Sequence, residues 1–216
     1  MTRRASHILI GISVVVLCGS TEARAATRHW TGNGATFGWA TAANWAEGVP
    51  VANDDLVFPA GALSKANFNN FPAGTSFTSI TLEGNYVLDG VNSISLRGGI
   101  VSTGSNAIRM PIILAGGFPV SVVHTVSSSG GQLTLTDPVS GCSAIASCSL
   151  RKEGPGTLEL RAANTFGGPT IVAEGVLVVS DNLALGDSSA TTVLSGASLV
   201  LAGVTIDEPL VLNGEG

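Results

Sequence analysis

Paired carboxylates stand at Asp54-Asp55 and Asp207-Glu208, and such pairs serve acid–base hydrolysis when a basic partner shares their face. Here the two pairs lie far apart in sequence. Each reads first as a turn, one entering the strand "LVF" and the other preceding Pro209. The arginines that could assist, Arg97, Arg109, Arg151 and Arg161, are scattered and read as solvated. Serines are abundant, but none sits in a Gly-x-Ser-x-Gly elbow. Beyond the N-terminal leader only His29 and His124 remain to serve as the base of a triad. There is no phosphate loop, and "GGQLTLTD" lacks the spacing of a calcium-binding nonapeptide. The expectation is therefore no catalytic residue, no metal site and no cofactor.

Two other residue groups invite a chemical reading. Cys142 and Cys148 both lie in "GCSAIASC", and an even pair in an exported chain reads as a local disulfide closing a small loop. A metal site would need more ligands than the nearby His124. Trp30, Trp39 and Trp45 recur close together, and aromatic faces stack on sugars. The other reading of the same tryptophans is a cap, closing the open end of a stacked core.

Export is read from the start of the chain. In "MTRRASHILIGISVVVLCGSTEARA", Arg3 and Arg4 form a basic region, Ile8 to Cys18 an apolar one, and Ala23-Arg24-Ala25 a small-x-small cleavage site. The apolar run falls short of the roughly 20 residues a spanning helix needs. Residues 1–25 are thus expected to be a cleaved signal peptide, leaving a chain that does not span the membrane. Removing Arg3, Arg4, Arg24 and Glu22 takes the net charge from −5 to −7. That excludes nucleic acid as the expected partner, because its phosphates call for a basic patch.

The elements that must position everything else are short strands. The chain has 216 residues, 12% of them charged, with 28 glycines and a mean hydropathy of +0.41. Apolar residues alternate with Ser, Thr or Glu in "SITLEG", "SISLRG", "GQLTLTD", "GTLELR", "GVLVVS" and "ASLVLAG", the period-2 pattern of a sheet with one buried face. Turn-forming Gly, Asn or Asp closes nearly every run. Asp181 to Leu185 is the best candidate for a brief helix. Aromatic content of 5% is low for a wide core, whereas a stacked solenoid has a narrow interior suited to aliphatic side chains. An all-β, parallel β-solenoid with irregular coils follows, with a β-sandwich as the alternative.

One stretch carries a recognisable pattern. "KEGPGTLELRAANTFGGPTIVAEGVLVV" supplies Lys152, Gly154, Gly156, Thr157, Leu158 and Leu160, then Asn164, Thr165, Phe166 and Gly168, then Thr170, Val172, Gly175, Leu177 and Val179. In that order these residues resemble the autotransporter-associated β-strand repeat of exported bacterial passenger proteins. Ala163 and Pro169 depart from the pattern, both in the turn. The segment with Trp30, Trp39, Trp45 and Pro50 looks like the opening of such proteins, and the residues after the repeat look like the coils that follow it. The resemblance implies a right-handed β-helix, secreted or displayed at the cell surface, in a structural or adhesive role without enzyme activity.

The organisation expected is a signal peptide at 1–25, a capping segment at 26–75 and a solenoid at 76–216 that contains the repeat at 152–180 and continues in a longer passenger. Expected partners are surface glycans, proteins of host or neighbouring cells, and further coils or a barrel domain. A carbohydrate-binding or polysaccharide-degrading β-helix is the alternative function, and clustering of Asp and Arg on one face of adjacent coils would favour it. Within the repeat, Leu158, Leu160, Val172, Leu177 and Val179 are expected to point inward. Gly156 and Gly175 are expected at corners with positive φ, and Asn164 is expected to bridge backbone groups of its own turn.

Overall fold

The computed structural model describes residues 25–116, 122–141, 148–187 and 190–213. Residues 1–24 of the expected signal and the Cys142 end of the expected disulfide lie outside the described residues. Short strands wind into three parallel sheets of nine, seven and four strands. Every strand pair is parallel, and successive turns of the chain feed the same three sheets in rotation. A sandwich of hairpins would need antiparallel ladders, so the architecture is a β-solenoid. Among the described residues the one antiparallel contact is an isolated bridge between Trp30 and Trp45.

Register explains why the core is aliphatic. On the first sheet Leu56, Ile80, Ile100, Val126, Lys152, Val172, Val193 and Leu212 are successive partners. On the second sheet the corresponding row is Leu88, Ile108, Leu135, Leu160, Val179 and Leu201. Strands in one sheet lie about 4.8 Å apart, so the rows stack aliphatic on aliphatic except at Lys152. Burying one such side chain is worth roughly 1.5–3 kcal/mol. A turn takes 20 residues from Ile80 to Ile100 but 26 from Val126 to Lys152. The inward rows stay in register although the turns differ in length.

The third sheet ends at Val139–Gly141. Past it, the third side continues as irregular chain: the Thr165 and Gly167 amides donate to the Val139 and Gly141 carbonyls, at 2.9 and 3.2 Å. Residues 181–185, the expected brief helix, form turns on this side instead, with Ala184 and Leu185 buried. They lack the length for a stable helix, and their local bonds close single turns, as from the Ala184 amide to the Asp181 carbonyl. Among the described residues the helical piece is one 3-10 turn, Ala42–Asn44.

The N-terminal end of the core is aromatic. Trp30, Trp39, Trp45, Phe58, Phe77 and Tyr86 are all buried, with ring centroids 5.2–6.4 Å apart in mostly edge-to-face pairs. Each indole N–H is used: Trp30 donates to the Ser64 carbonyl, Trp39 to Asn67 Oδ1 and Trp45 to the Trp39 carbonyl. No tryptophan face is left open to a sugar.

Candidate functional site

The repeat is the first candidate, because its residue types and spacing are the most constrained. Leu158, Leu160, Val172, Leu177 and Val179 are fully buried and occupy the inward rows. Ile171, Val176 and Val178 alternate with them on the outward side and are half-buried. Phe166 fills the side where the third sheet has stopped, and Gly168 is buried beside it. Thr157 is half-buried and Thr165 exposed; each passes its amide hydrogen back one coil, to the Gly131 and Val139 carbonyls. Thr170 is buried and stacks on Thr191, and among the described residues neither hydroxyl has a hydrogen-bond partner.

Two expectations change on inspection. Positive φ falls at Gly154 (74°) and Gly175 (69°), whereas Gly156 does not adopt it. A Cβ on Gly175 would lie 2.5 Å from the carbonyl oxygens of both Gly154 and Gly156, so the glycine allows two corners to touch. Asn164 bridges neighbouring coils rather than its own turn. Its Oδ1 accepts from the Val139 amide of the coil before at 2.7 Å, and its Nδ2 donates to the Ala184 carbonyl of the coil after. The adjacent coils offer backbone there, so no asparagine ladder forms.

Lys152 belongs to the repeat pattern, but its structural role was not read from the sequence. It occupies an inward position in an aliphatic row and is completely buried. Its Nζ donates to the carbonyls of Glu153 (2.8 Å), Gly154 (2.6 Å) and Glu174 (3.0 Å). The first two belong to its own corner and the third to the corner of the next coil. The ammonium thus ties both glycine corners from inside. Burial pulls its pKa below the ordinary lysine value, with the Glu174 charge opposing that shift. The signal was present in the sequence: a lysine in phase with the apolar row two residues before a glycine corner.

These residues are spent on architecture, and chemistry facing a ligand has to come from the outward side. There the second sheet presents a polar column. Phe68, Asp89 and Arg109 are direct register partners on three successive coils. Thr136, Arg161 and Ser180 continue the column, each one residue past the paired Leu135, Leu160 and Val179. The neighbouring column holds Thr134 and Glu159 between alanine and valines.

Arg109 and Arg161 share that column, whereas Arg151 lies on the first sheet and Arg97 directly follows a strand of the third. Arg161 meets Glu159 at 2.7 Å, Arg151 meets Glu153 at 2.6 Å, and Arg109 faces Asp89 at 3.9 Å. Glu159 is almost buried and also accepts from Gln132, Thr134 and Ser180. The hydrogen bond from Arg161 holds its carboxyl below the ordinary range against the opposing effect of burial, with Ser180 and Thr134 helping. Sequence spacing could not show this clustering, because coil lengths vary and only the register aligns residues from different turns.

Asp54 is also anchored. It is buried, accepts from the Ala26 and Val51 amides at 3.0 Å each, and pairs with Arg28 at 2.6 Å. Among the described residues no three His, Cys, Asp or Glu side chains come together as metal ligands, and no helix is long and apolar enough to cross a membrane.

The three parallel sheets and their stacked coils define the fold class, a β-solenoid. Residues 150–179 match the family model of the passenger-associated-transport-repeat, and the chain carries that autotransporter-associated repeat. It is also similar to the adhesin BmaC autotransporter of Brucella suis biovar 1 (strain 1330), 28% identical over 211 residues, or 94% of this chain. The chain spans 6% of the length of that relative. No solved structure matches it.

Proposed function

We propose that this chain is an exported β-solenoid module, displayed at the cell surface or outside the cell, whose role is adhesive and non-catalytic. The observation that carries the reading is the repeat coil itself. Its glycines, Lys152 and Asn164 are consumed in joining coils, which is what an elongated display scaffold requires. The similarity to an autotransporter adhesin supports the same conclusion. Adhesion is tested by displaying the chain on a non-adherent bacterium and counting cells retained on host-cell and neighbour-cell layers. Retention no greater than that of the empty display strain overturns the adhesive role. Fractionation of the native cells tests export, and a purely cytoplasmic signal would refute it.

A second reading, carbohydrate binding, is favoured by one specific observation. Asp and Arg side chains are aligned on adjacent coils of one outward face, with an exposed aromatic at the end of the column. This reading is compatible with adhesion, since a glycan is one kind of adhesive target.

A further inference from the structure

The N-terminal end of that column opens into a groove lined by Phe68, Asn70, Asp89, Val91, Asn92 and Arg109. Phe68 is 43% exposed, although most of the surrounding aromatic side chains are buried. Asp89 and Arg109 keep more than half of their side-chain surface in solvent. At 3.9 Å they are too far apart to hydrogen-bond, which leaves an acceptor and a donor side by side.

The floor of the groove is fixed. Asn69 is buried, its Nδ2 donates to the Asn92 carbonyl, and the Asn92 Nδ2 donates to the Phe71 carbonyl. Asn70 Oδ1 accepts from the Ala40 amide. The Asn70 and Asn92 carboxamides are thus each held at one end. Among the described residues the Asn70 Nδ2 and the Asn92 Oδ1 have no hydrogen-bond partner. Backbone space is also reserved: a Cβ on Gly38 would lie 2.8 Å from the Asn70 Nδ2, and one on Gly90 would lie 2.9 Å from the Asn69 Cβ.

We propose that this groove binds a neutral saccharide, with the apolar face of one sugar ring on Phe68 and adjacent hydroxyls on Asp89 and Arg109. The carbohydrate-binding reading above underlies the proposal. A vicinal diol fits the Asp–Arg pair, one hydroxyl donating to the carboxylate and its neighbour accepting from the guanidinium. The two carboxamides add a donor and an acceptor for further hydroxyls. Neutrality follows from the charges: Asp89 stands beside Arg109, so a carboxylated sugar meets repulsion along with attraction, on a chain of net charge −5.

The test uses the full chain on an array of neutral hexose oligosaccharides together with sialylated and uronate-containing counterparts. Calorimetric titration of the best neutral ligand follows. Neutral glycans are expected to bind, and Phe68→Ala and Arg109→Gln are each expected to weaken binding by at least about tenfold, the scale of truncating a central contact. Both positions are exposed, and an unchanged thermal melt checks that the variants fold. Neutral binding that survives both substitutions places the sugar elsewhere and overturns this site while leaving the carbohydrate reading intact. Preference for acidic glycans overturns the neutrality argument. An array without any bound glycan overturns the site and the carbohydrate reading together.

Discussion

The two ends of the described coils are covered differently. At the N-terminal end the last coil is covered: Trp30, Trp39 and Trp45 close over Phe58 and Phe77, and all five rings are buried. At the other end Leu201 and Leu212 hold the same inward register as Val179 and Val193, yet they are 43% and 65% exposed. Identical patterning therefore gives buried or exposed side chains according to what lies on the next level. Inward position comes from strand alternation, whereas burial comes from a neighbour above and below.

Substitutions along the axis test that contrast. The largest effect is expected for Trp39→Ala, because it opens a cavity in the aromatic cover and strands the Asn67 carboxamide. A loss of about 3–5 kcal/mol in urea unfolding is expected, and a loss below about 1 kcal/mol would show that the cover adds little to stability. Leu177→Ala, at mid-stack between Leu158 and Leu199, should cost about 2–5 kcal/mol by the same measurement. Equal costs at Leu177 and Leu212 would break the comparison.

Lys152→Met is expected to cost about 1–3 kcal/mol, since three carbonyls lose their donor. Lys152→Ala should be worse, because a cavity is added. A Met variant as stable as the parent would mean that the burial penalty of the ammonium already offsets its three bonds.

Asp54→Asn probes the N-terminal end through pH. Burial pushes the Asp54 carboxyl up, but the Val51 and Ala26 amides and Arg28 outweigh that, so its pKa lies below the ordinary 3.8. A lowered folded-state pKa makes the contribution complete above the ordinary value and lost as pH falls through the folded one. The parent should therefore lose stability in acid more steeply than Asp54→Asn, as read from melting temperatures across that range. Parallel acid limbs would refute the role given to the pair with Arg28. Smallest of all, Leu212→Ser made in this 216-residue chain should change stability by less than about 0.5 kcal/mol, because there its side chain faces solvent.

Much of the architecture was legible before folding. Alternation in "GTLELR" and "GVLVVS" identified the inward leucines and valines, and the low aromatic content pointed to a narrow core. The strands Phe68–Asn69, Val87–Gly90 and Asn106–Arg109 were less visible. They are short, and they mix Asp, Asn, Gly and Arg into positions that only ladder pairing makes extended. These are the strands that carry the candidate saccharide groove. Its residues lie about 20 apart in sequence, and turns of unequal length hide such spacing.

By itself the sequence determined alternation, glycine corners and aliphatic rows, because these are local consequences of side-chain period and backbone freedom. The tertiary structure alone decided which coil sits on which. That brought Phe68, Asp89 and Arg109 into one column, turned Lys152 inward onto two corners, and set Asn164 between the coils on either side. Such contacts depend on register between turns, and register is fixed by the cooperative packing of the whole stack rather than by any single segment.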